Sequence, residues 1–267
     1  MKSLFVRLLG AKSLPLILAA LAVALALPSA WTGWQMDDLL HRYMLLGYPD
    51  VSGKRTSPLD LFYFMDGDSA HAQVLMDAGV TPWWTLPTIR LSFWRPLSSL
   101  THWLDYRLWP DSSVLMHLQS LLWFALLVFA AALLYRRLLG HVWLAGLAAL
   151  LFTLDDAHGL AAGWLANRNA LVAGVLGVAT LLAHDRWRRD AWRPGSVLGP
   201  LLLLLSLLAG EMALGTCAYL VAYAAFADPA ARRARLLTLL PFAVVAVGWL
   251  GAYTLMGYGT RGSGFYV

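Results

Sequence analysis

Residues 113–137 read SVLMHLQSLLWFALLVFAAALLYRR, with no acid or base other than His117 until Arg136 and Arg137 close the run. About 20 consecutive apolar residues in a helix cross the roughly 30 Å hydrocarbon core of a bilayer. This run meets that length and ends on two cations, the usual cytoplasmic flank of a span. The rest of the chain agrees with it. Of 267 residues, 60% are hydrophobic and 13% are charged, against roughly 25% charged in an ordinary soluble domain, and the mean hydropathy is +0.62.

Working outward, shorter apolar runs recur, and seven spans are expected at about 14–30, 113–135, 141–155, 168–184, 196–210, 211–227 and 236–256. Several apolar cores are only 13 to 15 residues long, so their helices must extend into the flanks to cross. Residues 31–112 contain no run of that kind and form a long first outer loop. Within it, residues 39–46 and 69–78 read as short helices. Residues 92–108, SFWRPLSSLTHWLDYRL, read as an amphipathic helix lying at the interface, with Trp94, Trp103 and Tyr106 in the headgroup zone. The fold class is therefore an all-α membrane protein of about seven transmembrane helices in a single domain, 1–267.

Lys2, Arg7 and Lys12 precede the first run, which is also the layout of a secretory signal. Pro28 stands where cleavage after Ala30 would need a small residue, so a retained signal anchor with a cytoplasmic N-terminus is expected. Assigning alternate loops to the cytoplasm then collects 12 of the 20 basic residues, including Arg136, Arg137, the run HDRWRRDAWR at 184–193 and Arg232, Arg233 and Arg235. Only three of the 15 acids, Asp185, Asp190 and Asp228, fall on that side. The bias fits the positive-inside rule if Glu211 marks the outer tip of a helical hairpin. The net charge of +5 then reports topology, not an acidic partner. No basic, aromatic-interleaved soluble segment is present, so nucleic acid is not an expected partner. Cys217, the single cysteine, excludes an intramolecular disulfide.

The outer face gathers Asp37, Asp38, His41, Arg95, Asp155, Asp156, His158, Arg168 and Glu211, the only Glu in the chain. Ionisable groups at membrane depth are costly and read first as functional. Asp37-Asp38, in WTGWQMDDLLHRYMLL at 31–46, has two readings: a cap and solvated first turn for the helix that follows, or a general base with its neighbour orienting the acceptor or holding a cation. A divalent cation on Asp38 and His41 is one further arrangement, but the spacing is unspecific and no metal site is assigned. Arg95 and Arg168 offer the forked donors that suit phosphate oxygens, or they snorkel to the interface or pair with Asp155 or Asp156. Glu211 is a polar hairpin tip or part of the same site. Gly257, Gly259 and Gly262 in GYGTRG spell a dinucleotide-type pattern without the strand–helix unit it requires. Small residues at 145–149 and 174–177 are ordinary helix packing, and no tandem repeat stands out.

The order of these features resembles membrane glycosyltransferases of the GT-C fold, especially multispanning O-mannosyltransferase-like proteins that carry tetratricopeptide repeats. Those have an acidic pair in the first outer loop, matched by Asp37-Asp38, and an aromatic-Arg-Pro-Leu element, matched by Trp94-Arg95-Pro96-Leu97. His117 in MHLQSLLW resembles a His at the start of the next helix. WLANRNALVAG at 164–174 resembles a tryptophan–glycine–arginine–aspartate helix start, with Arg168 matching and Asn169 replacing the acid. LLAGEMALG at 207–215 resembles a lysine–glutamate element, with Glu211 matching and Gly210 replacing the Lys. The resemblance implies a GT-C-like fold and transfer of a sugar from a polyprenyl-phosphate donor to an acceptor at the extracytoplasmic, periplasmic face of a bacterial inner membrane. Asp37 and Asp38 would be catalytic, Arg95 and Arg168 would bind the donor phosphate, and His41, His117 and Glu211 would support them. No firm cofactor follows beyond the lipid-linked sugar and an optional divalent cation, and the partners are membrane lipid and an acceptor of unassigned identity. Proteins of this type usually continue with more helices, so the chain is expected to be a seven-helix core, a truncated frame or a degenerate paralogue. Two other classes remain: a non-catalytic membrane relative or assembly partner and, less favoured because the acids sit at helix ends, a transporter.

Overall fold

The computed structural model describes residues 4–51, 53 and 55–264. Helix α1 (Leu4–Leu9) precedes α2 (Leu14–Ala26), which carries Pro15 in its first turn, where a missing N–H breaks no helical hydrogen bond. The outer segment then folds as α3 (Asp37–Leu45), strand β1 (Tyr63–Asp66), α4 (Ser69–Asp77), strand β2 (Arg90–Ser92) and α5 (Pro96–Leu108). Asp68 caps α4 by accepting a hydrogen bond from the Ala70 N–H at 2.9 Å. The remaining helices are α6 (Ser113–Leu138), α7 (Val142–Leu154), α8 (Gly159–Gly163), α9 (Arg168–Asp190), α10 (Gly195–Ala209), α11 (Leu214–Phe226), α12 (Arg232–Leu237) and α13 (Leu240–Leu255), followed by strand β3 (Gly259–Arg261).

Among the described residues, four helical stretches are long and apolar enough to cross a membrane: Leu14–Trp31, Ser113–Leu138, Leu165–Asp190 and Arg233–Leu255. A fifth arises if α7 and the helical stretch Asp156–Gly163, bent by 49° at Asp155, count as one span. Gly195–Ala209 and Glu211–Phe226 are apolar helices of 15 and 16 residues, below the roughly 17 that crossing usually needs. The seven expected spans therefore reduce to four by length and composition, or five with the bent pair.

The chain is mostly helical but not all-α. Strands β1, β2 and β3 form an antiparallel sheet in that order. Each strand is only three or four residues long, too short to leave an alternating pattern in the sequence. The rejected glycine run supplies β3. Gly257 at φ 78° and Gly262 at φ 73° turn the chain on either side of it, conformations that glycine adopts without a Cβ penalty.

Two apolar cores hold the bundle. Leu18, Leu121, Phe124 and Val128 anchor the first, between α2, α6 and α7. Leu203, Leu207, Leu220, Phe242 and Trp249 anchor the second, between α9, α10, α11 and α13. A Cβ on Gly199 would stand 2.8 Å from the Phe242 ring, so glycine there sets how closely α10 and α13 approach. Large apolar side chains remain exposed around the outside, including Leu16, Leu122, Val244 and Leu255. Exposed apolar surface of this extent marks a surface made for a non-aqueous neighbour, and with the four long apolar stretches it fits an integral membrane location.

Helices α6 and α9 run parallel, with Arg168 at the start of α9 against Met116 and Ser120 near the start of α6 and Arg137 against Asp185 and Asp190 at the far ends of both, so the two ends of the bundle are chemically distinct. At one end Arg136 donates to the carbonyls of Ala11 and Lys12, and Arg137 pairs with Asp185 and with Asp190 at 2.8 Å. Arg188 pairs with Asp228 at 2.6 Å. All three acids that the sequence places among the basic loops thus have an arginine partner there.

Candidate functional site

The other end of the bundle carries the candidate residues. Helix α3 opens directly on Asp37-Asp38, after Met36 in an unusual backbone conformation at φ 46°. Asp38 is buried, and its carboxylate is fully engaged by the backbone: Oδ2 accepts from the Gln35 N–H at 3.0 Å and Oδ1 from the Ala166 N–H at 2.6 Å. Burial raises its pKa to about 6; the two hydrogen bonds oppose the rise, Asp37 adds to it and Arg168 opposes it. Asp38 therefore bolts α3 to the turn before α9. Asp37 differs. Its carboxylate lines a cavity of about 550 Å3, is raised by burial alone, and has no hydrogen bond or ion pair among the described residues.

His41, one turn further along α3, is buried with its ring edge-on to Phe62 at 4.9 Å and 5.4 Å from the ring of His102. Burial, foremost, lowers His41 to about 4 and holds His102 well below the usual imidazole range, so both are neutral at pH 7. Asp38 is engaged by backbone N–H groups and His41 packs among the rings of Phe62, Phe64 and His102, and no group of three or more His, Cys, Asp or Glu side chains is arranged to hold a metal among the described residues.

The two arginines have opposite surroundings. Arg168 is fully buried: Nη1 pairs with Asp105 Oδ2 at 2.6 Å and donates to Gln119, Nε donates to Ser120 Oγ at 2.9 Å, and Nη2 donates to the Met116 carbonyl at 2.7 Å. Its fork joins α5, α6 and α9 and offers no open face to a phosphate. Its acidic partner is Asp105, not Asp155 or Asp156. Arg95 lies at the start of α5, with Nε on Glu211 Oε2 at 2.8 Å and the guanidinium stacked over Phe93 at 4.3 Å and Phe62 at 5.0 Å. Its two Nη groups have no hydrogen bond among the described residues. One side of the fork is held and the other is open.

His117 is buried and holds the approach to Asp37. Its Nε2 lies 2.9 Å from the Gly33 carbonyl and 3.4 Å from Thr32 Oγ1, fixing residues 32–33 against α6. Asn169, the position where the resemblance expects an acid, lies beside Gly210, where it expects a lysine: a Cβ on Gly210 would be 3.3 Å from Asn169 Nδ2. Positions 169 and 210 thus meet at one place in the molecule.

Helix α5, expected as an amphipathic helix at the interface, is also packed into the protein along one face. Its buried stripe is polar, comprising Ser98, Ser99, His102 and Asp105, at the three- and four-residue spacing of one helix face. Ser98 Oγ donates to the Ala209 carbonyl at 2.7 Å, Ser99 Oγ accepts from the Leu61 N–H at 3.3 Å, and Asp105 takes Arg168. The exposed face of α5 is Leu100, Leu104, Arg107 and Leu108, with Trp103 and Tyr106 half-buried between the two. The spacing puts His102 and Asp105 on one helix face, and it is the partners on other elements that make this face a buried one. Asp38, Arg168, Asp105, His102, His41, Arg95 and Glu211 thus form a continuous wall at one end of the bundle.

No protein-family model, curated protein or solved structure matches this chain.

Proposed function

We propose that the protein is a membrane glycosyltransferase that takes a sugar from a polyprenyl-phosphate donor at the extracytoplasmic face, with the arginine-rich end of the bundle in the cytoplasm. The observation that carries this reading is the pairing, at one end of the bundle, of an unpartnered carboxylate over a cavity, Asp37, with an arginine whose fork is half open, Arg95. In this reading the acceptor hydroxyl gives its proton to Asp37, its oxygen bonds to the anomeric carbon, and the bond from that carbon to the phosphate oxygen breaks. The lipid phosphate leaves with the electron pair and is neutralised by Arg95. Asp38 and Arg168 position these groups and touch neither reactant; His41, His117 and Glu211 hold α3, its approach and Arg95 in place.

An apolar groove of about 520 Å3 between α6, α9 and α11 supports the lipid side of the reading. One end is formed by Ala170, Met212 and Ala213, one or two residues from Asn169 and Glu211, so an isoprenoid chain lying there would bring its phosphate towards Arg95.

The test is release of polyprenyl phosphate from a polyprenyl-phosphate sugar by the purified protein, with native mass spectrometry for co-bound lipid. Asp37→Asn should lower turnover about 10²–10⁴-fold, the range for losing a general base, while retaining bound lipid. Arg95→Ala should lose the lipid. Wild-type protein that is folded, binds no polyprenyl-phosphate lipid and transfers no sugar would leave a non-catalytic relative. The contact that favours that second reading is the ion pair already made between Arg95 and Glu211.

A further inference from the structure

The cavity that Asp37 lines is walled by α3, β1 and α4. Tyr43 and Tyr48 stack on each other at 5.0 Å on one side, and Tyr63 and Phe64 of β1 belong to the wall. Beyond them lie His71, 3.1 Å from Asp66 and 3.4 Å from Asp50, and the Thr81 hydroxyl, which is buried without a hydrogen-bond partner. No Lys or Arg belongs to this wall among its described residues.

Each feature narrows the occupant. Among the described residues of the wall, a phosphate or carboxylate would meet Asp37 with no cation to receive it. An aliphatic chain would leave the Asp37 carboxylate and the Thr81 hydroxyl buried without partners, at roughly 1–3 kcal/mol for each unsatisfied group. Flat aromatic faces alternating with donors and acceptors suit a molecule that itself has a C–H face and a rim of hydroxyls. The volume is that of a small-molecule site, typically about 300–1,000 Å3. We infer that the cavity binds an uncharged saccharide, and that this saccharide is the acceptor whose hydroxyl is presented to Asp37. The binding stands on the cavity; the role as acceptor rests on the glycosyltransferase reading.

Saturation-transfer NMR on the full chain in detergent, with methyl glycosides of glucose, galactose, mannose and N-acetylglucosamine as probes, tests it. At least one neutral glycoside should receive magnetisation from the protein, and glucose 6-phosphate should not. Tyr48→Ala and Thr81→Val, each at the cavity edge and away from the helix cores, should weaken binding about tenfold, the equivalent of 1.4 kcal/mol. Asp37→Asn should bind the glycoside and fail to glycosylate it. Absence of binding by every neutral glycoside, indifference to both cavity variants, or binding of glucose 6-phosphate or tetramethylammonium in their place overturns the assignment. The two readings fail separately. A bound glycoside with no sugar transferred by wild type removes the transferase and leaves the cavity; transfer to another acceptor without glycoside binding does the reverse.

Discussion

The Asp38 carboxylate receives two backbone hydrogen bonds and still titrates at about 6, because its removal from water outweighs what two N–H groups return. The sign of the consequence follows. Between about pH 4 and 6 the folded chain holds a proton on Asp38 that the unfolded chain, at the ordinary value of 3.8, has already released. Raising the pH across that window therefore lowers stability. Asp105, also raised to about 6 by burial, acts in the same direction. Thermal unfolding in detergent should show a midpoint that falls from pH 4 to pH 7, and Asp38→Asn should flatten part of that fall. An unchanged slope in the variant would mean that Asp38 is ionised at little cost. Neighbours in sequence, Asp37 and Asp38 could be singled out as a pair from the sequence, but not told apart. Which one is bonded depends on Ala166, 128 positions away in the chain.

At the scale of the element, α5 is held by a buried ion pair as well as by apolar packing. Desolvating two charges costs several kcal/mol each, and the pair stands only with both partners present. Arg168→Ala should destabilise the protein by about 3–5 kcal/mol. Arg168→Met with Asp105→Leu should cost clearly less than the two single substitutions summed, and chemical denaturation of the four proteins closes the cycle. Additive effects would show that the two residues stabilise the fold independently. The lengths of the long helices were legible: the expected span at 113–135 is α6, and that at 168–184 is the apolar part of α9, which runs on to Asp190. The polar face of α5 was not legible as buried, because a serine, histidine and aspartate stripe reads as solvent-facing unless its partners on other helices are known.

For the whole molecule, the separation of charge between the bundle ends makes orientation measurable. Cys217 is the only native thiol, so single cysteines can be introduced into a Cys217→Ser background at two exposed positions, Thr88 in the outer segment and His141 between α6 and α7. A membrane-impermeant maleimide applied to intact cells should label Thr88→Cys and spare His141→Cys until the membrane is opened. Labelling of the second alone would invert the protein and place the site in the cytoplasm. The membrane character of the chain was plain from its apolar runs, but the number of crossings was not. Hydropathy identifies α10 and α11 as apolar without deciding whether helices of 15 and 13 residues reach across.

The small sheet also sets an order of events. Strands β1 and β2 belong to the outer segment, but β3 lies beyond the last long helix, and its pairing with β2 joins residues about 170 positions apart. A two-stranded ribbon is marginal by itself, and contacts this distant in sequence form late. Arg95 likewise waits for Glu211, and Ser98 for the Ala209 carbonyl. During synthesis, the segment bearing Asp37 emerges among the first hundred residues and stays incomplete until the chain's far end arrives to close it. A ribosome stalled after α9 would therefore display a membrane-bound chain in which every candidate residue but Glu211 has been made and the site does not yet exist.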